Sequence, residues 1–309
     1  MARFTRSSSN DIISGIQSTD LFKQRLLPDI EKGKVFPAIR NNRIDFYHGG
    51  GKLFGYSKEG FVTHIKYASV LSGGKSYVAE SEIANLPHIT SFSKEYERIK
   101  ENCRRYSGVE AQGVSEICRT FGQLLNGKLP LVVPLDIEIC FDASDSIATE
   151  EDLDRKTDRI DILFYHTGGE DRVLRFCEAK HYSNSEIWAE RGDPPRVAKQ
   201  LSRYRSQISQ RKNEIISAYC DHVDSLNKLL GTSLPRPTDF DEVPLFLLVF
   251  GFDRNQKDGR LKELLIDDGS LQGHYCYSIG NIEAIKLENM WKGIKPGKVC
   301  PPSPVAGTP

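Results

Sequence analysis

Apolar residues recur at helical spacing just before the middle of the chain. The positions that share one helix face are Val114, Ile117, Cys118, Phe121 and Leu125. Asn126-Gly127 follows them, and such a pair is typical of a helix end. Residues 91–108 form another helical pattern, which is rich in charged side chains. The segment 91–127 is therefore expected to hold two helices.

Four later segments have the composition of β-strands. The first three are residues 131–142, 158–166 and 172–182. Residues 244–252 are almost wholly apolar, which is typical of a strand covered on both faces. A long helical region separates the third segment from the fourth; it begins after Pro194-Pro195 and ends at Gly231. The order helix, three strands, helix, strand predicts a mixed α/β core.

The N-terminal part of the chain has shorter elements. Three aromatic and β-branched segments separated by glycine turns lie within residues 43–67, and this pattern predicts a small β-meander. The sequence GGGK at 49–52 lacks the spacing of a phosphate-binding loop, so we interpret it as a hairpin turn. One helix is expected over residues 18–33, with Ser18 as its cap and Gly33 at its end.

These patterns divide the chain into three parts. Residues 1–106 are expected to form an α+β region that recognises a substrate or a partner. Residues 107–294 are expected to form the mixed-sheet domain. The Pro/Gly-rich end, residues 295–309, is expected to be a disordered tail.

Composition narrows the classes of protein that fit. Of the 309 residues, 39% are hydrophobic and 27% are charged, as in ordinary soluble proteins. No apolar run reaches the length of a membrane span or of a signal peptide. The seven cysteines are scattered singly, which favours reduced thiols in the cytoplasm over a disulfide framework or a zinc ribbon. Lys and Arg total 42, as do Asp and Glu, so any contact with DNA must come from local patches.

The sequence FCEAKHY, residues 176–182, places an acid and a base on an otherwise apolar strand. Alternation along the strand puts Glu178 and Lys180 on one face. Asp161 lies 17 positions before Glu178 on the preceding strand, so a hairpin would bring the two acids together. A solvated charged face on an edge hairpin is the plain alternative. The apolar neighbours argue against it, because a charge among them needs a partner or a metal, and Mg²⁺ and Mn²⁺ prefer carboxylate oxygens.

The pattern ID followed by EAK, after a helix and a strand, resembles the PD-(D/E)xK nuclease superfamily with the restriction-endonuclease-like fold. The resemblance covers about half of the chain, and Ile160 stands where the family name has proline. It implies metal-dependent phosphodiester hydrolysis, in which Asp161, Glu178 and the Ala179 carbonyl hold Mg²⁺ or Mn²⁺. Lys180 would orient or deprotonate the attacking water, or stabilise the charge that develops at the phosphate.

Members of this superfamily often add an acid from the first core helix, and the candidates are Glu110 and Glu116. Glu110 lies four residues before Val114 and seven before Ile117, so it shares the apolar helix face, whereas Glu116 projects away from it. Glu110 is therefore expected to face the sheet and to join the metal site. The plain alternative is an acid that only favours the positive end of the helix dipole.

Gln200 and Tyr204 lie at i and i+4 on one helix face. This pair resembles the Q-x-x-x-Y element of the RecB-like exonuclease branch of the superfamily. The resemblance implies that Gln200 acts in catalysis by hydrogen bonding near the metal or the DNA, with Tyr204 beside it.

Residues 196–212 contain six basic residues and no acid. They are Arg196, Lys199, Arg203, Arg205, Arg211 and Lys212. A basic stretch beside the site is what a phosphate backbone would need. Of this region we expect Arg196, Lys199, Arg203 and Tyr204 to contact nucleic acid. A solvated helix face is the alternative.

The function expected from the resemblance is that of a Mg²⁺- or Mn²⁺-dependent deoxyribonuclease in host defence or DNA repair. DNA is the expected partner, and a second copy of the chain or a partner subunit is also considered. Two alternatives stay open: a non-catalytic nuclease-fold subunit that binds DNA or another protein, and a nuclease directed at RNA. The sequence does not distinguish endonuclease from exonuclease activity.

Overall fold

The chain folds around two β-sheets, which together with the helices give a mixed α/β architecture in this computed structural model. The structure describes residues 4–70, 74–83, 89–127, 129–141, 159–170, 172–188, 194–267 and 271–296. Within these ranges, no helix is both long enough and apolar enough to cross a membrane.

The first sheet is antiparallel and is formed by the N-terminal part of the chain. Its five strands lie in chain order: β1 (Phe36–Arg40), β2 (Arg43–His48), β3 (Gly51–Ser57), β4 (Gly60–His64) and β5 (Tyr77–Ala79). The predicted β-meander is confirmed as strands β2 to β4 of this sheet. Gly49 and Gly50 have positive φ angles and form the turn between β2 and β3, as expected for a hairpin.

Five helices accompany this sheet: α1 (Asn10–Ser18), α2 (Leu27–Glu31), α3 (Ile65–Ala68), α4 (Glu80–Ile83) and α5 (Tyr96–Arg105). A π-helical turn, Phe22–Leu26, leads into α2. The predicted start of a helix at Ser18 is wrong, because Ser18 ends α1 and Ser9 caps it by accepting from the Ile12 N–H. Gly33 follows α2 with a positive φ angle, as expected for a helix end.

The second sheet has six strands in the order β11-β10-β9-β8-β7-β6. They are β6 (Val132–Cys140), β7 (Arg159–His166), β8 (Val173–His181), β9 (Asp239–Phe250), β10 (Tyr275–Ile279) and β11 (Lys295–Pro296). β7 is antiparallel to β6 and β8, whereas β8, β9 and β10 run parallel. The carboxyl ends of three neighbouring strands therefore meet at one edge of the sheet.

Among the described residues, five helices accompany the second sheet: α6 (Val109–Cys118), α7 (Arg196–Gln210), α8 (Lys212–Leu230), α9 (Arg254–Gln256) and α10 (Leu287–Gly293). Short 3₁₀ or π turns lie at Arg119–Asn126, Ser185–Ile187, Lys257–Leu261, Glu263–Asp267 and Ile282–Ala284. The order α6, β6 to β8, α7 and α8, then β9 confirms the predicted order of elements.

Three details of this half differ from the expected pattern. The long helical region is interrupted at Arg211, which separates α7 from α8. Strands β10 and β11 extend the sheet beyond the predicted elements. Lys295 and Pro296, from the expected tail, form β11, and residues 297–309 of that tail lie outside the described residues.

A buried ion cluster joins the N-terminal region to the second sheet. Asp136 of β6 accepts hydrogen bonds from Arg6 Nε at 3.0 Å, from Arg40 Nη1 at 2.6 Å and from the Tyr219 hydroxyl at 2.9 Å. Burial alone would raise the pKa of Asp136, but Arg40 and Arg6 outweigh burial and lower this pKa to about 2. The cluster therefore holds the N-terminus, β1, β6 and α8 together.

Replacing the acid of this cluster should destabilise the fold strongly. Asp136→Ala leaves two buried guanidinium groups without their carboxylate, and removal of one partner from a buried ion pair costs about 3–5 kcal/mol. We expect a loss of that size in the free energy of unfolding, measured by urea denaturation. Asp224→Ala, which breaks a largely exposed pair with Arg236, is the control and should cost much less. Equal losses for the two variants would contradict this account of the cluster.

Candidate active site

A cleft of about 430 Å³ opens at the carboxyl end of β8, where β7 begins and α7 passes. Its lining comprises Arg159, Asp161, Glu178, Lys180, Glu186, Arg196, Lys199, Gln200, Arg203 and Tyr204. Eight of the ten predicted site residues are in this set, and the other two, Glu110 and Ala179, make direct contacts to members of it. The structure thus brings the predicted residues together in one place.

Glu178 and Lys180 lie on a central strand of the sheet and not on an edge. β8 pairs with β7 on one side and with β9 on the other. Glu178 is 1% exposed and Lys180 is 5% exposed. Lys180 Nζ lies 2.9 Å from Glu178 Oε1, which confirms that the two side chains share one face. A solvated charged face on an edge hairpin is excluded.

Three carboxylates surround the Lys180 ammonium. Its Nζ lies 2.9 Å from Glu178 Oε1, 2.9 Å from Glu186 Oε2 and 3.7 Å from Glu110 Oε1. Burial would lower the pKa of Lys180, but Glu178, Asp161 and Glu110 outweigh it and raise this pKa above its usual range. Lys180 therefore keeps its proton at neutral pH. Of the roles expected for it, orientation and charge stabilisation fit this state, whereas proton abstraction from water does not.

Glu110 reaches the carboxyl end of β8 from the first turn of α6, which begins one residue earlier. Its Oε2 accepts hydrogen bonds from the His181 backbone N–H at 3.0 Å and from the Asn184 side-chain amide at 2.7 Å. Glu116 instead forms an ion pair with Arg119, the residue that directly follows α6. The prediction that Glu110 faces the sheet is confirmed, and a role confined to the helix dipole is excluded by these specific contacts.

Asp161 lies across the β7–β8 hairpin from Glu178. Its Oδ2 accepts a hydrogen bond from the Ala179 backbone N–H at 2.7 Å, and Ala179 is fully buried. Burial raises the pKa of Asp161 well above its ordinary value, and the neighbouring charges of Glu178 and Glu138 raise it further. The hairpin therefore forces two carboxylates into one poorly hydrated site.

Glu178 has an unsatisfied oxygen. Its Oε1 contacts Lys180, whereas its buried Oε2 has no hydrogen-bond partner among the described residues. Burial raises the pKa of Glu178 to about 7, although Lys180 opposes the shift. Asp161 and Glu178 interact strongly, so they titrate as a pair, and in the absence of another cation the pair retains a proton near neutral pH.

The donor set fits a magnesium-type ion that is held by few protein ligands. Among the residues with described side chains, no group of three or more His, Cys, Asp or Glu is arranged to hold a metal. Mg²⁺, however, is commonly held by one or two carboxylates, with water and substrate phosphate at its other positions. Asp161 and Glu178 supply two carboxylates, and Glu178 Oε2 is available for a further bond. Glu110 fits this role less well, because its Oε2 already accepts two hydrogen bonds.

One wall of the cleft is built by α7. Gln200 Nε2 donates to the Tyr204 hydroxyl at 2.9 Å, and that hydroxyl donates to the Arg159 carbonyl at 2.7 Å. The Tyr204 ring is fully buried. This burial corrects the expectation that Tyr204 contacts nucleic acid, since the residue joins α7 to the start of β7 instead. Gln200 remains at the cleft surface, half-buried.

The rim of the cleft is basic. Arg196, Lys199 and Arg203 are exposed at positions i, i+3 and i+7 of α7, so they follow one helix face along the opening. Two of the other basic residues of this region form ion pairs elsewhere. Arg211 pairs with Glu214, and Lys212 pairs with Asp239. The expected phosphate contacts on this helix therefore reduce to three residues.

Sequence reasoning missed two acids that lie close to the site. Glu186 follows β8 in a 3₁₀ turn capped by Asn184 and contacts Lys180. Glu138 lies on β6 with a φ angle of 52°, near enough to Asp161 to raise its pKa. A signal existed for Glu138, because it follows Asp136 at strand spacing in the sequence DIEI. Glu186 lies in a loop, where no periodic pattern applies.

Comparison of the chain with models of protein families, with curated proteins and with solved structures gave no match. The resemblance to the PD-(D/E)xK superfamily therefore rests on the motif and on the order of elements, and the assignment is taken up below as a proposal.

Removing the Glu178 carboxylate should change how stability depends on pH. Because the folded state raises the pKa of Glu178 from its ordinary value of 4.5 to about 7, the wild type loses stability as pH rises through this window. Glu178→Gln cannot ionise and escapes this loss. We expect its unfolding free energy to rise relative to wild type by up to about 3 kcal/mol between pH 4.5 and 7, at about 1.4 kcal/mol per pKa unit.

The measurement is urea denaturation across this pH range with divalent ions chelated. Glu242→Gln, which removes an exposed carboxylate on β9, controls for the loss of one acid. A difference between Glu178→Gln and wild type that stays constant over the window would show that Glu178 is ionised throughout.

Proposed function

We propose that this protein is a metal-dependent nuclease of the PD-(D/E)xK superfamily that hydrolyses phosphodiester bonds in DNA. The observation that carries the proposal is the buried Glu178 Oε2, which has no hydrogen-bond partner among the described residues. Asp161 and Lys180 lie beside it. A buried carboxylate oxygen without a partner favours a bound cation, and a divalent ion at a phosphodiester site would supply one. The order of helices and strands supports a restriction-endonuclease-like core.

Each residue of the cleft has a role in this proposal. Asp161 and Glu178 would hold the Mg²⁺ or Mn²⁺, which when bound neutralises the scissile phosphate and lowers the pKa of a water molecule. Lys180 keeps its proton and donates hydrogen bonds to a phosphate oxygen or to the water. Glu110 and Glu186 contact the ammonium and are positioning residues for it.

The basic rim supports a nucleic-acid substrate. Arg196, Lys199 and Arg203 lie along the opening of the same cleft that holds the acids. Because the chain has no net charge, affinity for a phosphate backbone must come from such a local group. We propose DNA because that is the usual substrate of the superfamily.

We also propose a setting for this activity. A cytoplasmic location is supported by the six cysteines of the described residues, none of which forms a disulfide. A role in host defence or DNA repair rests on association with the superfamily alone.

A second candidate function is a non-catalytic subunit with a nuclease fold that binds DNA or a partner protein. The observation that favours it is that the carboxylates already have a cation beside them, because the Lys180 ammonium contacts three of them. Such a site could be stable with no divalent ion. Cleavage assays separate the two functions directly.

The nuclease proposal predicts metal-dependent cleavage that requires Lys180. Purified protein is incubated with labelled linear and circular double-stranded DNA, single-stranded DNA and RNA, in Mg²⁺, Mn²⁺ or EDTA. We expect cleavage of DNA with either metal and none with EDTA. Lys180→Ala should lower the rate by about 100-fold or more, as expected when a donor to a developing charge is removed. Asp161→Asn, which is nearly isosteric, should also abolish cleavage.

Lys58→Ala serves as the control, because Lys58 is 84% exposed on the N-terminal sheet. Unfolding curves for every variant distinguish a loss of catalysis from a loss of the folded structure. Equal rates for wild type and Lys180→Ala on all substrates would refute the nuclease proposal. Cleavage confined to RNA would show that RNA, and not DNA, is the substrate. Cleavage of closed circular DNA would identify an endonuclease.

A further inference from the structure

An aromatic and basic surface, formed by the N-terminal sheet together with α3 and α5, lies outside the cleft. We call it the aromatic strip, and its residues are Lys52, His64, Tyr67, Tyr77, Arg104, Arg105 and Tyr106. The His64 ring lies 5.3 Å from the Tyr67 ring and 5.4 Å from the Tyr77 ring. Tyr67 and Tyr106 are stacked, with 6.5 Å between ring centroids and an interplanar angle of 25°. The four rings therefore form a continuous row.

The end of this row is open to solvent. Among the residues with described side chains, three large apolar or aromatic residues are exposed: Tyr106, Val109 and Leu129. Tyr106, at 58%, and Val109, at 55%, are three positions apart at the junction of α5 and α6. A tyrosine ring left this accessible, and stacked on one side only by Tyr67, presents a face on which another planar group can stack.

The charges on the strip are positive. Arg104 and Arg105 are exposed beside Tyr106, and Lys52 Nζ lies 4.8 Å from the centre of the Tyr77 ring. None of these three cations has a carboxylate within 4.0 Å among the described residues. Lys52 does help to lower the pKa of Asp45, whose burial alone would raise it, so one acid lies within its field. The strip thus offers two exposed cations and the half-buried Lys52 to an anionic partner.

A groove joins the strip to the end of β8. It has a volume of about 270 Å³, and its lining includes Arg104, Val109 and His181 together with two acids, Glu116 and Glu283. His181 directly follows Lys180, and its backbone N–H is bound by Glu110. Tyr106 precedes Glu110 by four residues, so their Cα atoms are within about 14 Å of each other. The strip therefore lies near the end of β8.

We infer that the aromatic strip binds an unpaired, single-stranded segment of the DNA substrate. Unpaired bases stack on aromatic rings, while nearby Lys and Arg contact the phosphates. Paired bases are hidden from such rings in a duplex, so the strip should discriminate against double-stranded DNA. This inference rests on the proposed function for the identity of the substrate, but the binding itself does not require cleavage.

The test is fluorescence anisotropy of a labelled oligo(dT) with the full chain in EDTA, so that binding is measured without cleavage. We expect wild type to bind oligo(dT) more tightly than a duplex or an oligo(U) of the same length. Tyr106→Ala should weaken binding by about fivefold or more, the loss expected for one stacked base. Tyr106→Phe keeps the ring and should bind as wild type does.

The charges are tested separately. The double variant Arg104→Glu with Arg105→Glu should weaken binding of oligo(dT), and the loss should be greater at low salt. Glu101→Gln removes the exposed acid one helical turn before Arg105 and should strengthen binding. Lys58→Glu, at the opposite end of the β3–β4 hairpin, is a single charge-reversal control and should have no effect.

The outcomes separate this inference from the nuclease proposal. If the strip variants bind oligo(dT) as tightly as wild type, or if wild type prefers the duplex or oligo(U), the inference is wrong whatever the cleavage assay shows. If they lose binding while wild type shows no cleavage on any substrate, the inference stands and only the nuclease proposal fails.

Discussion

The buried pair of Glu178 and Lys180 on β8 is the interaction on which the rest of the candidate site depends. Glu178 is 1% exposed, and an isolated carboxylate there would be costly. One of its oxygens contacts Lys180 and the other has no partner among the described residues. Asp161 brings a second acid to the same place. The site therefore holds more negative charge than Lys180 balances, and a divalent ion would restore that balance.

The fold explains why these charges meet. β8 lies between an antiparallel neighbour and a parallel one, so the start of β7 and the carboxyl end of β8 share an edge. The first turn of α6 adds Glu110 at this edge, and α7 adds the basic rim. The Asp136 cluster then holds the N-terminal sheet against the second sheet, which places the aromatic strip close to the same edge. Glu110 and the basic rim thus meet the acids of β7 and β8 at one edge of the sheet.

The features of the site that depend on the regular spacing of side chains along a strand or a helix could be predicted from the sequence. Strand alternation placed Glu178 with Lys180, and the helical stripe selected Glu110 over Glu116. Features set by tertiary contacts could not be predicted in this way. Glu186 reaches Lys180 from a loop, and Tyr204 is buried because its hydroxyl bonds to the backbone of β7. The raised pKa of Lys180 likewise depends on carboxylates brought together from three elements.

The claim that Asp161 and Glu178 bind a divalent ion is tested most directly by calorimetry. Mn²⁺ is titrated into the protein at pH 7 in two buffers with different ionisation enthalpies. A carboxylate must lose its proton to bind a metal, and burial holds the pKa of Glu178 at about 7. Our account predicts binding with release of a fraction of a proton, and loss of both in Asp161→Asn. Absence of binding, or binding to Asp161→Asn as tight as to wild type, would contradict the account.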